Sequence, residues 1–203
     1  MRLLIDSSGP QLVCALAEGD QVTDLAGTPL AAALIGYGRA GDASGSPSTG
    51  IDSLPILTSI VVGIGPGSFI GTRTAISFAN GYAAALDSPV DLRGVNSLAA
   101  IAAVHGGSPV LRDARRGQWY LQIAGSCTAC DEAGVVAALT AADAKTAIVE
   151  WQGEAEPPLA GVLRDAGVQV EMTECVTPEG LRLAAASVEP ASYVEPIYLR
   201  GFT

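Results

Sequence analysis

The sequence predicts an α/β fold, and three observations carry that prediction. Between residues 60 and 105, short apolar β-branched runs alternate with segments of helical apolar spacing, the rhythm of strand, turn, helix, strand, helix. Hydrophobic residues make up 49% of the 203 residues while aromatics supply only 5%, so the core must be built from Ala, Val, Leu and Ile. That much apolar material excludes a globally disordered chain. Two hairpin patterns open two stretches of the chain, and Gly106-Gly107-Ser108-Pro109 is the best boundary between them. The chain therefore divides into an N-terminal half, 1–105, and a smaller C-terminal half, 106–203.

The elements follow in order. Residues 3–5 form a short apolar run stopped by Asp6-Ser7-Ser8-Gly9-Pro10, and residues 12–17 form a second run before the Gly19-Asp20 turn signal. Residues 21–25 can add a third strand. A short helix is expected at 30–35, with Thr28 as cap and Pro29 at its first position. Residues 36–50 are rich in Gly, Ser, Ala and Asp and read as a loop, and 51–57 as a second helical piece. The β-branched run at 60–64 is a buried strand. After the glycine-rich turn 65–71, residues 72–86 repeat apolar side chains at helical spacing. A strand at 89–95 and a helix at 97–105, capped by Ser97, complete the half.

In the second half, 110–111 and 119–124 flank a polar turn at 113–117. A helix is expected within 132–144, a strand at 147–151, and a helix at 158–166 ended by Gly167. A strand at 168–172 and a last helix at 178–188, capped by Thr177, follow.

Charge narrows the function classes. The formal net charge is -10, with 21 acidic against 11 basic residues. A protein that grips bare duplex needs a basic face to displace phosphate counterions, and none is suggested here. Without an apolar run of about 18 residues no membrane helix is expected. The start, MRLLIDSSGP, has neither the apolar stretch nor the cleavage site of a signal peptide. Four cysteines in a chain this long do not make a disulfide scaffold, so the cytoplasm is the expected location.

Several constellations could carry chemistry. In Gly63-Ile-Gly-Pro-Gly-Ser-Phe-Ile-Gly-Thr-Arg73, glycines allow close backbone approach and the following helix points its positive end at the loop. Gly65, Gly67 and Ser68, with the charge of Arg73, make a weak candidate anion loop. Asp6, at the end of the first strand, could orient Mg²⁺ beside it. A tight structural turn and a turn-capping Asp account for the same residues. The loop lacks the Gly-Lys-Ser/Thr of a P-loop. Cys127-Thr-Ala-Cys130 has redox or half-zinc spacing but no nearby further ligands. His105 is the one histidine; it excludes a two-His metal site within one chain and suits a helix C-terminus.

Taken together, five segments resemble the TsaB (YeaZ) family. Residues 62–73 look like its GPGSFTGLR signature, with Ile70 and Thr72 as departures. Leu4-Ile-Asp-Ser-Ser8 with Cys14-Ala-Leu16 resembles its opening hairpin, and Gly94-Val-Asn-Ser-Leu98 its "GVSSL". Asp113-Ala-Arg115-Arg116 with Tyr120 resembles its "DARRGEVY", and Pro196-Ile-Tyr198-Leu-Arg200 its terminal "P-YLR". The family's first long helix is barely recognisable in residues 28–57.

The resemblance implies a fold of the actin/Hsp70/sugar-kinase (ASKHA) superfamily, two RNase H-like halves around a cleft. It implies a non-catalytic subunit in the making of threonylcarbamoyladenosine beside the tRNA anticodon. The partners would be TsaD, which holds metal and transfers the group, and the ATPase TsaE. The chain would self-pair when TsaD is absent and meet tRNA only through the complex. TsaD uses a His-x-x-x-His metal motif, which a chain with one histidine cannot supply. No tightly bound cofactor or metal and no catalytic residue of its own is expected; ATP or ADP with Mg²⁺ would sit at the interface of the complex. The helix 72–86 is the expected partner surface, through Thr72, Ala75, Ile76, Ala79 and Ala83, where the small Ala75, Ala79 and Ala83 allow close helix contact. The alternatives are a glycoprotease-like peptidase and a stand-alone nucleotide-binding module.

Overall fold

A computed structural model describes residues 1–25, 57–86 and 89–199. The expected helical pieces and loop within 28–56, and Arg200, lie outside the described residues. Ten strands are named within the described part: β1 Arg2–Asp6, β2 Val13–Glu18, β3 Gln21–Asp24, β4 Ser59–Gly63, β5 Asp91–Val95, β6 Val110–Asp113, β7 Gln118–Ile123, β8 Ser126–Asp131, β9 Thr146–Glu150 and β10 Gln169–Thr173. The helices are α1 Phe69–Ala85, α2 Ser97–Val104, α3 Glu132–Ala141, α4 Pro158–Asp165 and α5 Pro178–Ala184.

The strands make two five-stranded sheets of the same topology. The first runs β3-β2-β1-β4-β5, and the second, read from its matching edge, runs β8-β7-β6-β9-β10. In each, three strands meander antiparallel and two more add in parallel. The chain is thus two similar α/β halves. The central strands β1 and β4 are apolar on both faces, as parallel neighbours covered on both sides must be.

Layers of side chains follow from the alternation along each strand. Leu3, Ile5, Ile60 and Val62 face α1, where Ala75, Ile76 and Ala79 meet them. Leu4, Val61 and Val95 face the middle of the molecule, against Leu98 and Ile101 of α2 and Leu181 of α5. Leu111, Leu121 and Val149 of the second sheet face the far side, against Leu139 of α3 and Leu163 of α4. The helix α5, although it follows the second sheet in sequence, packs on the first. Residues 191–198 return there too: Ala191 bridges Leu92, Val194 is buried beside α1, and Asn80 both donates to the Val194 carbonyl and accepts from its N–H, each at 3.0 Å.

Four expectations are corrected. The helix expected at 72 begins at Phe69, because the Ser68 hydroxyl accepts from the Gly71 N–H at 3.2 Å and caps it. The cap of α2 is Asn96, not Ser97: Asn96 Oδ1 accepts from the Leu98 and Ala99 N–H groups at 2.8 and 3.0 Å. Cys127 and Cys130 lie on strand β8, where an odd spacing sends them to opposite faces, one toward the middle layer and one into the outer core. Burial pushes both thiols above the usual value, so neither is the low-pKa thiol of a redox pair.

The largest correction concerns the face of α1. Thr72, Ala75, Ile76 and Ala79 are between 0% and 4% exposed and Ala83 packs beside them, so this stripe faces the chain's own sheet. Small side chains do bring the helix close to a neighbour, but that neighbour is β1 and β4. Among the described residues, none packs over the opposite, free face.

Candidate functional site

The cleft between the halves is built by strand ends. Asp6 closes β1, the glycine-rich turn follows β4, Arg112 and Asp113 close β6, and Glu150 closes β9. The cleft encloses about 860 Å³, lined among others by Ser8, Gly67, Ser68, Tyr120 and Trp151.

Asp6 is buried, and its oxygens are occupied. Oδ1 accepts from the Ser8 N–H and hydroxyl, both at 2.7 Å, and Oδ2 accepts from the Ser97 hydroxyl at 2.5 Å. Ser97 Oγ in turn accepts from the Gly65 N–H at 3.2 Å. Gly63 is required here, since a Cβ would come within 1.7 Å of Asp6 Oδ2. The amides of the turn are likewise engaged: Ser68 N–H donates to the Ser8 carbonyl at 2.7 Å, and Thr72 N–H to the Ser68 carbonyl at 2.9 Å.

Arg112 is the residue that sequence reasoning missed. It is 6% exposed. Its Nη2 donates to Glu150 Oε1 at 3.0 Å, and its Nε donates to Glu150 Oε2. Its Nη1 crosses to the other half, donating to Ser8 Oγ at 2.8 Å and to the Pro66 carbonyl at 2.6 Å. A Cβ on Gly67 would lie 2.2 Å from the Ser8 carbonyl oxygen and 2.6 Å from Arg112 Nη1, so glycine is needed for the halves to meet. Burial raises the Glu150 carboxyl pKa, and the attraction of Arg112 offsets this only in part.

These residues do not fit a nucleotide phosphate at the turn. The Gly65 and Ser68 N–H groups already have acceptors, the Ser68 hydroxyl caps a helix, and a guanidinium stands against Gly67. Nor do they fit Mg²⁺: Asp6 accepts three protein hydrogen bonds, and among the described residues no group of three or more His, Cys, Asp or Glu could hold a metal ion.

Of the other expected residues, Asp113, Arg115 and Tyr120 line the same cleft, whereas Arg73 and the segment carrying Pro196 and Tyr198 lie apart from it. Asp113 Oδ1 accepts from the Arg115 N–H at 2.6 Å and shapes the β6–β7 hairpin. Arg115 and Arg116 there adopt left-handed φ of 66° and 56° and are exposed. Tyr120 lines the cleft. His105 is the C-cap of α2, with Nδ1 3.9 Å from Glu171 Oε2. Arg73 turns away from the turn altogether. Its Nε donates to the Tyr198 hydroxyl at 2.6 Å and its guanidinium lies 4.0 Å over the Phe69 ring. The neighbouring Ile197 N–H donates to the Ile64 carbonyl at 2.8 Å and fixes the segment carrying Pro196.

That arrangement continues along the free face of α1. Phe69, Ile70, Phe78, Tyr82 and Leu86 line a groove of about 780 Å³ in which Arg73 is the only charged residue among the described residues that line it. Ile70 is 69% exposed.

Residues 53–187, well over half the sequence, match the family described as TsaD: tRNA N6-adenosine threonylcarbamoyltransferase. The chain belongs to the TsaD family. No curated protein matches the sequence. Among solved structures, one described as an uncharacterized protein with similarity to peptidase YEAZ from Pseudomonas aeruginosa is 21% identical, with a TM-score of 0.63 over 98% of this chain and 99% of that one. YeaZ from Pseudomonas aeruginosa is 18% identical, with a TM-score of 0.58 over the same shares. The fold of this TsaD-family chain is therefore the YeaZ-like, ASKHA-type arrangement of two similar halves, as the TsaB/YeaZ resemblance implied. Among the described residues no helix is long and apolar enough to cross a membrane.

Proposed function

We propose that this chain is a non-catalytic partner subunit in tRNA threonylcarbamoyladenosine formation, docking a TsaD-type catalytic subunit on the free face of α1. The observation that carries the reading is the exposed apolar groove along that helix, beside a cleft whose polar groups are bonded to one another. Family membership supports the pathway. The inward arrangement of Asp6, Ser8, Ser97, Arg112 and Glu150 supports a role without chemistry of its own. Exposed Ile70 and Leu86, with half-buried Phe78 and Tyr82 between them, support a helix-on-helix contact, in which apolar area leaves water on both sides. TsaE and ATP or ADP with Mg²⁺ would join at the assembled complex, as would tRNA, which suits a chain with a net charge of -10. Self-pairing in the absence of the catalytic subunit would use the same face. The cytoplasm is the corresponding location.

The test is co-purification with the host's TsaD-type subunit. Ile70→Asp places a charge in the groove at an exposed position, where stability changes by no more than about 0.5 kcal/mol. The complex should be lost while the circular dichroism spectrum and melting midpoint stay at wild type. A complex that survives Ile70→Asp and Tyr82→Asp together would refute this docking face. Ala79→Asp is unsuitable as a probe, because Ala79 is fully buried and the variant would unfold.

A further inference from the structure

We infer that Arg112 is a pin that holds the two halves at one cleft opening, with Glu150 as the residue that aims it. Both sit on adjacent strands of the second sheet, where parallel pairing of β6 and β9 places Arg112 beside Glu150. The carboxylate takes Nε and Nη2, which fixes the plane of the guanidinium fork. The remaining nitrogen, Nη1, then projects across the cleft into the first half. There it meets two acceptors from separate segments, the Ser8 hydroxyl after β1 and the Pro66 carbonyl in the turn after β4.

Three further features fit a pin rather than an incidental contact. The Ser8 hydroxyl is oriented by donating to Asp6, so the acceptor is held as firmly as the donor. Gly67 leaves the space that Nη1 occupies, and at Gly9 a Cβ would come within 3.1 Å of Glu150 Oε1. The side chains of Arg112 and Glu150 are 7% and 2% exposed, so water does not compete for these bonds. An arginine serves better than a lysine, because only a planar fork can satisfy a carboxylate and two cross-cleft acceptors together. The chain would then present α1 as part of one rigid body, its cleft unable to open and close.

The experiment measures a distance across the cleft in the full chain. Cysteines introduced at Gln11, beside Pro10, and at Gln152 carry spin labels, with Cys127, Cys130 and Cys175 replaced by Ser; Cys14 is fully buried and needs no replacement. The unsubstituted pin should give one narrow distance distribution. Arg112→Met and Glu150→Leu should broaden it and add a longer-distance component, as expected when a hinge is released. Leu139→Ala lowers stability from the far core of the second half and should leave the distribution narrow. If Arg112→Met does not fold, Arg112→Lys and Ser8→Ala are read in its place, with the same broadening expected. A distribution unchanged by the pin variants would overturn the inference. So would an equal broadening by Leu139→Ala, which would reduce the pin to a general contribution to stability.

Discussion

Replacing one member of the Arg112–Glu150 pair at a time should cost far more than replacing both. Arg112→Met removes two bonds to Glu150 and those to Ser8 and Pro66. It leaves a carboxyl group whose side chain is 2% exposed. Glu150→Leu leaves a guanidinium that is 7% exposed and cannot shed its proton. Breaking a buried pair in this way costs about 3–5 kcal/mol. Glu150→Leu should be the more severe, because the stranded carboxyl can take up a proton and the stranded guanidinium cannot. The double variant Arg112→Met/Glu150→Leu strands neither charge. It should lose only about 1–3 kcal/mol, the cost of a carbonyl such as that of Pro66 left unpaired. The assay is urea unfolding followed by the fluorescence of Trp119 and Trp151. With a slope of about 2 kcal/mol per molar, a single variant should lower the midpoint by on the order of 2 M. The coupling between the two sites should be about 3 kcal/mol or more. If the two effects add within about 0.5 kcal/mol, the pair is not energetically coupled and the reasoning fails.

The penalty of Arg112→Met should depend on pH. Burial raises the Glu150 pKa above the usual carboxylate range even with Arg112 in place, and Asp6 acts in the same direction. A raised folded-state value means stability that is complete below about pH 4.3, the usual glutamate value, and is lost as pH rises through the folded value. Removing Arg112 raises that value further, so the penalty should grow from pH 4 toward neutrality; a penalty that shrinks would contradict it. Cys175, whose thiol is also pushed up and which feels Glu150, is the other titrating neighbour. Gly67→Ala should destabilise by at least about 2 kcal/mol through overpacking against Ser8 and Arg112. Gly81→Ala, which meets nothing within 4 Å in mid-helix, should instead stabilise by about 0.5–1 kcal/mol. Urea midpoints of the two variants should therefore move in opposite directions. Asn80→Ala removes both bonds to Val194 and should speed amide exchange through residues 191–198, with a loss of about 1–2 kcal/mol.

Much of the fold was legible because it rests on local signals. The apolar run Ile60-Val61-Val62, the hairpin at the N-terminus and the Thr177 cap each speak for themselves within a few residues. The strand β8 was not legible: Ser126-Cys-Thr-Ala-Cys-Asp131 sits at a sheet edge, with no fully buried residue and without a row of large apolar residues to mark it. The stripe Ala75, Ala79, Ala83 shows that a small-residue face tells how close a neighbour lies but not which neighbour. The glycines of the turn were visible, but what they make room for was not. Gly63 admits Asp6, Gly67 admits Arg112, and Gly71 admits the Ser7 carbonyl at a distance no Cβ could tolerate. Arg112 and Glu150 are 38 residues apart and meet only through the register of β6 and β9. A charged residue inside the short apolar run Val110–Asp113 was the one signal that could have found them.

The central claim is that this chain assists tRNA modification through the free face of α1. The direct measurement is the threonylcarbamoyladenosine content of tRNA from host cells depleted of the chain and then supplied with wild type or Ile70→Asp. Depletion should remove the modification, wild type should restore it, and Ile70→Asp should not. Unchanged tRNA after depletion, or full restoration by Ile70→Asp, would contradict the account.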